Sequence, residues 1–343
     1  IDKDKVLGIV SKKVSQQRLE GFNGYNIKLL DIDPINNYTE PHNQPLERAF
    51  NPIDYKPEKP WFISNLEEAS YITGLRDFSR DCSSKIWAKL YIDSDKQVLV
   101  DKASINAHDY ALIKEPIHNL SPVKQMKAIK SQQEIEAYKK AFERTDMAVQ
   151  AIRDYIESNE NLSEYDIAKR LREEFMKYGA KSLSFNSIVA IDKNSAHYSK
   201  NSKDIILKDG SLVLIDCGAY YESGLATDIT RVFVKGQPSK LQKRVYTTVL
   251  KAFLNAFNRN FKTGYEYDAL AHSILDDKIE GFSFGHGLGH GLGINVHEAP
   301  PALNKSEIAH TELQDGMCFS IEPGLYNPDY FGVRLENSCY KKD

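Results

Sequence analysis

Cysteine is scarce in this sequence of 343 residues, which contains only Cys82, Cys217, Cys318 and Cys339. These four are far apart and form no CxxC pair, which argues against a disulfide framework and against a thiolate zinc site. We therefore expect a reducing, cytoplasmic location. Long apolar runs are also missing. No stretch approaches the roughly 20 residues that span a bilayer, so no membrane association is expected.

An excess of either charge is absent as well. The 45 Lys and Arg residues against 48 Asp and Glu residues give a net charge of −3, which offers no electrostatic case for a nucleic-acid partner. The glycines between 285 and 293 do not form GxGxxG or GxxxxGK[ST] ahead of a helix, so a phosphate-binding loop is excluded. No segment resembles GxSxG, so a serine nucleophile has no supporting context.

The chain has enough apolar sequence for two domains, with hydrophobic residues at 41%. Short patterns predict a small α/β domain over 1–122, with strands at 61–63, 86–92 and 98–100 and a helix at 66–74. Because position 1 is Ile rather than Met, an incomplete first domain is one expectation.

Longer helical patterns begin after Pro122. Ser131 and Glu134 form a capping box ahead of one helix, and a second helix over 163–178 ends at Gly179. Strands are predicted at 184–190, 211–217, 226–234, 317–322 and 332–337, and further helices at 239–257 and 266–277. Since short loops join the strand pairs, the fold class over 123–343 is α+β with a largely antiparallel sheet.

Two predicted hairpins each present a pair of carboxylates. Asp216 ends the apolar strand SLVLID, and a turn centred on Glu222 sets Asp228 directly opposite it, with Cβ atoms about 5 Å apart. Glu322 and Glu336 are paired in the same way by a turn centred on Asp329. Any one of these carboxylates can be an ordinary surface residue. Half-buried pairs in two hairpins are harder to dismiss, since such pairs persist only by sharing a proton or holding a cation.

The segment GFSFGHGLGHGLGINVHE contains too many glycines for a stable helix. Read as extended chain, it places His286, Leu288 and His290 on one face, and glycine lets another backbone or a ligand approach the other. His297 and the more distant His197 are candidates for the same pocket. Arg334 shares the face of Glu336, where it can form a salt bridge or bind a substrate carboxylate or carbonyl.

One imidazole and four carboxylates form a hard ligand set that favours Mn²⁺, Fe²⁺, Co²⁺ or Zn²⁺. We expect two divalent ions, with Mn²⁺ as first choice, held by Asp216, Asp228, His290, Glu322 and Glu336. Two ions about 3.5 to 4 Å apart typically serve hydrolysis.

With these residues identified, the segment from about 125 to 340 resembles the creatinase-like "pita-bread" metallopeptidases, which include methionine aminopeptidase, prolidase and aminopeptidase P. The motifs stand in the family's order as IDCG, ATDITRVF, GHGLGHGLGINVHE, SIEPGLY and GVRLEN. The N-terminal region, with WFISNLEEASYITGLRDFS, more loosely resembles the extra domain of aminopeptidase P and prolidase.

The resemblance implies a role for each site residue. Asp216 would chelate one ion, Asp228 and Glu336 would bridge both, and His290 with Glu322 would complete the other. Glu322 would also act as general base, and His286, His297 and His197 would contact substrate or stabilise the oxyanion. His286 and the EPGxY segment ending at Tyr326 are similar to the proline-specific branch, with Tyr326 beside the substrate.

The expected activity is therefore that of an Xaa-Pro aminopeptidase, which removes the residue before a proline at position 2 of short peptides by metal-activated hydroxide. An Xaa-Pro dipeptidase, or prolidase, is the alternative enzyme. A pseudoenzyme that binds a protein partner is the alternative that is not an enzyme. Creatinase and the non-catalytic relatives keep the fold but lose the metal ligands, whereas all five are present here. A homodimer is expected.

Overall fold

The computed structural model describes residues 6–30, 45–57, 60–92, 99–100, 102, 105–112, 117–118, 121–197 and 202–342. Contacts divide the chain into two compact units, one of Ile1–Ser79 with Lys85–Met126 and one of Arg80–Ser84 with Lys127–Asp343. The domain limits 1–122 and 123–343 stay a prediction, because a division by contacts does not show that either part folds alone.

Short elements form the first unit. They are β1 (Leu7–Val10), α1 (Gln16–Glu20), β2 (Ile27–Leu30), β3 (Glu47–Arg48), β4 (Trp61–Ile63), α2 (Leu66–Thr73), β5 (Leu75–Arg76), β6 (Leu90–Ile92), β7 (Leu99–Val100), α3 (Ala107–Leu112), β8 (Ile117–His118) and α4 (Pro122–Ala128), whose end belongs to the second unit. The sheet β6-β4-β7-β8 mixes antiparallel and parallel pairs. Trp61, Ile63, Ala69 and Ile72 form its small core.

The predicted strand at 61–63 is confirmed, and the helix predicted at 66–74 is present as α2. Asn65 caps α2 by accepting from two backbone N–H groups, and Gly74 ends it at φ 67°. The strand predicted at 86–92 starts later, at Leu90, and residue 98 of the last predicted strand lies outside the described residues.

The second unit has longer elements. They are α5 (Gln132–Ser158), α6 (Glu164–Lys177), β9 (Ser182–Leu183), β10 (Ile188–Ile191), β11 (Leu212–Cys217), β12 (Ala219–Tyr220), β13 (Ile229–Val234), α7 (Lys240–Phe257), α8 (Gly264–Leu275), β14 (Gly289–Gly291), β15 (Glu298–Leu303), β16 (Cys318–Ile321), β17 (Gly324–Asn327), β18 (Phe331–Arg334) and β19 (Asn337–Tyr340).

Each of the four long helices of this unit begins at a capping box. In the predicted one, Ser131 accepts from the Glu134 N–H at 3.3 Å and Glu134 accepts from the Ser131 N–H at 2.9 Å. Ser163, Ser239 and Thr263 start α6, α7 and α8 in the same way. Each box satisfies N–H groups that a helix start otherwise leaves unpaired, which is why the starts are predictable from sequence.

Every described strand pair in the second unit is antiparallel, which confirms the α+β class. One sheet has the order β10-β11-β13, another has the order β15-β14-β16-β19, and β17 pairs with β18. A bridge between Thr230 and Glu336 links the first two sheets. We call the line along which they meet the seam.

Two separate hydrophobic cores support the two sheets. One packs α5 and α6 against β10, β11 and β13, with Ile152, Ile167 and Val213 fully buried. The other packs α7 and α8 against the four-stranded sheet and the β17–β18 hairpin, with Val249 and Leu325 fully buried. The seam therefore lies between two independently packed layers.

The strand predicted at 332–337 is wrong in its bounds, because the chain changes partner within it. β18 ends at Arg334 after pairing with β17, and β19 starts at Asn337 and pairs with β16. The residues between them form the bridge to Thr230. The strand predicted at 184–190 starts later, as β10 at Ile188, and β9 lies just before its predicted bounds.

None of the helices in the described ranges is both long enough and apolar enough to cross a membrane. The four cysteines are free.

A buried ion pair connects the end of α4 to β15. Lys127 Nζ lies 2.6 Å from Glu298 Oε2, and the two side chains are 6% and 3% exposed. Burial acts to raise the pKa of Glu298, but the ammonium groups of Lys127 and Lys130 hold it below its ordinary value. Glu298 therefore remains charged inside the fold because of these two lysines.

Lys127→Met should destabilise the protein by about 3 kcal/mol, because it keeps much of the side-chain volume but leaves Glu298 buried without its nearest counter-charge. Chemical denaturation of the metal-loaded protein measures this change. Adding Glu298→Gln should restore part of the loss. Lys140→Met, at an exposed position of α5, is the control. If Lys127→Met alone were as stable as Lys140→Met, the stabilising role of the Lys127–Glu298 ion pair would be contradicted.

Candidate active site

The first carboxylate hairpin differs from its predicted register. Asp216 stands opposite Thr230, not opposite Asp228, and Cys217 stands opposite Ile229. The turn is thus centred on Ser223, one residue later than predicted. Continued past Ile229, the register places Asp228 across from Gly218, where an added Cβ would lie 1.8 Å from the Thr227 carbonyl oxygen.

The alternation of side chains could not predict this register. Apolar alternation fixes which face Asp216 and Asp228 share, but the pairing partner depends on where the turn closes. The two aspartates are still on one face as diagonal neighbours, which keeps their side chains within reach of each other. Asp216 and Asp228 are therefore close to each other as predicted, although their register differs from the predicted one.

The second hairpin has the predicted register. Gly324 pairs with Arg334 and Tyr326 with Gly332, so the turn is centred on residue 329. The same register, continued by two residues on each strand, places Glu322 and Glu336 opposite each other, just beyond the last paired residues. The Glu336 N–H donates to the Thr230 carbonyl at 3.2 Å, which directs this glutamate across the seam to the two aspartates.

His290 stands in the short strand β14, which is bordered by β15 and β16. Its Nδ1 lies 3.1 Å from the Gly291 carbonyl oxygen, and a carbonyl can only accept. Nδ1 therefore carries the proton, and the lone pair of Nε2 faces the carboxylates. Nε2 lies 3.4 Å from Asp228 Oδ2 and 3.3 Å from Glu322 Oε1.

The glycine-rich segment does not alternate as predicted. Leu288 is fully buried in the core under the four-stranded sheet, while His286 and His290 line the cavity together with Gly287 and Gly289. The chain turns about Leu288, whose N–H and carbonyl are both bonded to other segments. The predicted close approach is present at Gly289, where an added Cβ would lie 2.0 Å from the Ser320 carbonyl oxygen.

All five predicted ligands meet in one cavity. Three overlapping groups offer ligand atoms within 4.8 Å of one another, namely Asp216, Asp228 and Glu336; His290, Glu322 and Glu336; and Asp228, His290 and His297. One oxygen each of Asp216, Asp228 and Glu336 is buried without a hydrogen-bond partner among the described residues. Unpaired buried carboxylate oxygens are costly, so their grouping points to a cation.

Burial and mutual repulsion dominate the electrostatics of this cluster. Burial raises the pKa of Asp228 well above its ordinary value, and the charges of Asp216 and Glu322 raise it further. Burial and the charge of Asp228 do the same for Glu336. Burial also raises the pKa of Glu322, although His290 and Arg334 oppose the rise. The cluster therefore binds protons or cations strongly.

Arg334 supplies the positive charge inside the cluster. It is 2% exposed, and its guanidinium donates to Asp216, to the Tyr326 hydroxyl at 3.0 Å and to Thr230 Oγ1 at 3.2 Å. Thr230 Oγ1 in turn donates to Glu336 Oε2 at 2.7 Å. Arg334 was predicted either to form a salt bridge or to bind substrate. The salt bridge is observed, with Asp216, and the guanidinium N–H groups described above are occupied by protein acceptors.

His286 and Tyr326 form a hydrogen-bonded pair. His286 Nδ1 donates to the Gly287 carbonyl at 2.8 Å, so Nε2 accepts from the Tyr326 hydroxyl at 2.7 Å. Burial and the charge of Arg334 lower the pKa of His286 to about 4, so the ring is neutral at pH 7. Burial raises the pKa of Tyr326 to about 12, so its hydroxyl stays protonated. Tyr326 lies behind His286, and it does not line the cavity.

The cavity has a volume of about 490 Å³, and an apolar side formed by Phe185, Ile188 and Val296 faces the polar cluster. His297 lines it and packs edge-on against His290 with ring centroids 4.1 Å apart. Burial and His290 lower the pKa of His297 to about 4. His297 is thus placed beside the ligands as predicted.

His197 is placed differently from the prediction. It follows the 3-10 turn Asp192–Ala196 and is not among the described residues that line this cavity. Ser195 ties that turn to Gly332 by accepting from the Gly332 N–H at 2.8 Å, which fixes the end of the turn against β18. The role predicted for His197 remains a prediction.

Thr230 and Ser320 support the site, although sequence reasoning assigned them no role. Ser320 Oγ accepts from the His290 N–H at 3.1 Å and donates to Glu322 Oε1 at 3.3 Å. Thr230 lies two positions from Asp228, and Ser320 two positions from Glu322, on the same strand face in each case. The alternation of side chains could therefore have identified both residues. Partners that orient ligands in this way tune metal sites.

The residues present fit a pair of divalent ions. The donor set is one imidazole nitrogen and four carboxylates, its atoms converge, and the unpartnered oxygens are aimed into the same space. The free cysteines lie outside this donor set.

The sequence of this chain is similar to those of known peptidases. Residues 136–342 match the model of Metallopeptidase family M24. An Xaa-Pro dipeptidase of Lactobacillus delbrueckii subsp. lactis is 30% identical over 332 residues, which cover 88% of this chain and 86% of the relative. An Xaa-Pro dipeptidase of Pyrococcus horikoshii is 36% identical over 218 residues, or 63% of this chain, and this match spans 60% of that relative's length.

The fold agrees with solved structures. An X-Pro aminopeptidase from Thermotoga maritima superposes with a TM-score of 0.72 at 26% identity, covering 83% of this chain and 91% of that one. The pita-bread expectation is thus confirmed. The family match covers more than half of the chain, including all five ligand positions. The chain belongs to metallopeptidase family M24.

Proposed function

We propose that this protein hydrolyses Xaa-Pro dipeptides with two divalent ions held by Asp216, Asp228, His290, Glu322 and Glu336. The observation that carries the proposal is the grouping of three unpartnered, buried carboxylate oxygens with the Nε2 lone pair of His290 in one cavity. A cluster with this much uncompensated negative charge is stable only with protons or cations. A cavity of about 490 Å³ suits a small peptide.

The relatives support the dipeptidase more than the aminopeptidase. Both relatives described above are named Xaa-Pro dipeptidase, whereas the Thermotoga structure is an X-Pro aminopeptidase. The names therefore favour the alternative over the activity expected first from sequence. Xaa-Pro aminopeptidase activity remains the second candidate.

When bound, such ions supply Lewis acidity and lower the pKa of water. The protein's own groups would do the remaining work. Glu322 stands at the cavity edge with Oε1 3.3 Å from His290 Nε2, and it would take the proton of the attacking water and pass it to the leaving proline nitrogen. His297 is neutral at pH 7, so it can donate a hydrogen bond without adding charge that competes with cations. His286 is also neutral, but its Nδ1 and Nε2 are bonded to Gly287 and Tyr326, so its contact with substrate stays a prediction.

Arg334 and Tyr326 would position other groups. Tyr326 orients His286 from behind, and Arg334 holds Asp216 and, through Thr230, Glu336. A side chain without these hydrogen-bond donors at either position would loosen the groups they hold. Direct substrate contact, predicted for both from sequence, stays a prediction.

Several finer expectations also stay predictions. Mn²⁺ as the physiological ion is consistent with the oxygen-rich donor set. The cytoplasmic location derives from the cysteine pattern, and the homodimer derives from the family resemblance. The pseudoenzyme alternative is disfavoured by the convergence of all five ligands.

Glu322→Gln should lower kcat by about 100-fold or more on Xaa-Pro substrates at saturating Mn²⁺, because glutamine keeps an oxygen ligand but cannot accept a proton. Steady-state kinetics with parallel metal analysis measures this effect. Glu312→Gln, on the surface, is the control. A near-normal kcat would remove Glu322 from the base role.

Asp228→Asn should stabilise the metal-stripped protein at pH 7 while abolishing activity. The raised pKa of Asp228 means that the folded state holds a proton that the unfolded state releases, so wild-type stability falls as pH rises from the ordinary carboxyl range through the raised value. Asparagine does not titrate. We expect Tm to rise by about 2 to 4 °C, equivalent to roughly 1 kcal/mol.

The Asp228→Asn gain should vanish at about pH 3, below the ordinary carboxyl range, where both states are protonated. Mn²⁺ at pH 7 should stabilise the wild type more than the variant. Calorimetry at both pH values measures the difference. A variant less stable than wild type at pH 7 without metal would refute the repulsion argument.

A substrate panel decides between the two enzymes. Metal-stripped protein, with and without Mn²⁺, is incubated with Xaa-Pro, Xaa-Pro-Xaa and a Met-Ala peptide, and products are separated by chromatography. We expect Mn²⁺-dependent cleavage of Xaa-Pro. Preferential cleavage of Xaa-Pro-Xaa would establish the aminopeptidase. No cleavage under any metal, with tight binding of a protein partner, would support the pseudoenzyme.

A further inference from the structure

A second cavity adjoins the active-site cavity. Its volume is about 310 Å³, and it shares His286, Gly287 and Asn304 with the larger one. Asp268, His272 and Lys305 line it but not the larger one. The two cavities thus meet at His286, one of the proposed substrate contacts.

The end of β15 places Lys305 at this junction. Gly289 pairs with Leu303, and the same register continued outward sets Lys305 across from Gly287. The two segments are close, since a Cβ added to Gly287 would lie 2.6 Å from Asn304 Cβ. Asn304 Oδ1 accepts from the Ser306 N–H at 2.8 Å, which turns the chain immediately after β15. Lys305 is therefore held at the rim by the backbone on both sides.

Charge divides the combined space into two ends. Asp216, Asp228, Glu322 and Glu336 make one end the site of the proposed ions and of the scissile bond, so the carboxylate terminus of a dipeptide, which lies beyond that bond, points away from this end. Phe185, Ile188 and Val296 offer that terminus no charge. Of the arginine and lysine side chains that line either cavity in the described residues, Arg334 is already bonded to Asp216, and the other is Lys305.

Lys305 is free to take a ligand. Its side chain is exposed, and no carboxylate among the described residues lies within ion-pair distance of its Nζ. Asp268 lines the same cavity but is 1% exposed, and its Oδ1 accepts from the Leu288 N–H at 2.9 Å. Asp268 Oδ2 also lies 3.8 Å from His272 Nε2, and the charge of Lys305 acts to lower the Asp268 pKa, but Asp268 is not within ion-pair distance of the Lys305 Nζ.

We propose that Lys305 binds the free α-carboxylate of the substrate's proline residue and so selects dipeptides over longer peptides. This inference rests on the proposed function and specifies which group enforces it. The carboxylate would lie at the junction beside His286 and Gly287, at the end of the space away from the acidic cluster. A further residue after proline would move the carboxylate beyond reach of this lysine.

The test compares wild type with Lys305→Met, Lys305→Arg and the exposed control Lys251→Met, all loaded with Mn²⁺. Substrates are Leu-Pro and Leu-Pro-amide, which differ only in the terminal charge, and L-proline and L-prolinamide serve as inhibitors. Lys305→Met should raise KM for Leu-Pro roughly five- to tenfold, with kcat within about twofold, because a charge-assisted contact to the ground state is lost.

The amide substrate, the inhibitors and the Lys305→Arg variant complete the test. KM for Leu-Pro-amide should not change, inhibition by L-proline should weaken by the same factor as KM for Leu-Pro, and Lys305→Arg should resemble wild type. Equal effects on acid and amide, or none on either, would overturn the role of Lys305 while leaving the dipeptidase intact. Absence of Leu-Pro cleavage by wild type would instead reject the proposed function, and this inference with it.

Discussion

Repulsion among buried carboxylates is the constraint on which the rest of this structure depends. Asp216, Asp228, Glu322 and Glu336 converge in one cavity, where burial penalises charge and the charges of neighbouring acids further raise the pKa of Asp228 and Glu336. Such a cluster does not stabilise a fold. The packed layers on either side have to hold it together, and both are closed hydrophobic cores that do not include the acids.

The division of labour between the two layers follows from this constraint. The three-stranded sheet carries the aspartates, the β17–β18 hairpin and its flanks carry the glutamates, and the Thr230–Glu336 bridge joins them at the seam. Arg334 donates to Asp216 and to Thr230, and Thr230 donates to Glu336, so one positive charge and one hydroxyl serve two of the acids. Neutral His297 adds hydrogen-bonding capacity without neutralising the cluster. The site thus combines strong cation affinity with an uncharged flank for a peptide.

Local sequence signals predicted much of this arrangement. The capping box of Ser131 and Glu134 located the start of α5, since a helix start has few ways to satisfy its free N–H groups. Alternation placed Asp216 and Asp228 on one face, and the NPDY turn fixed the second hairpin's register. The first hairpin's register was missed because alternation fixes the face of each strand but not the residue on which the turn closes.

The histidine segment shows the same limit. Alternation along a glycine-rich chain assumes an extended strand, but only Gly289–Gly291 is one, and Leu288 turns into the core. His197 was expected in the cavity, whereas the turn before it is tied to Gly332. Lys305 gave no signal at all, because its place depends on the register between β14 and β15.

Gly289 also limits how this protein can be altered by evolution or design. Its missing side chain lets the Ser320 carbonyl approach so closely that any larger residue would push β14 away from β16, and His290 with it. Variation that changes substrate preference is therefore confined to the apolar wall of Phe185, Ile188 and Val296 and to the rim, while the glycine row beside the ligands stays closed to substitution.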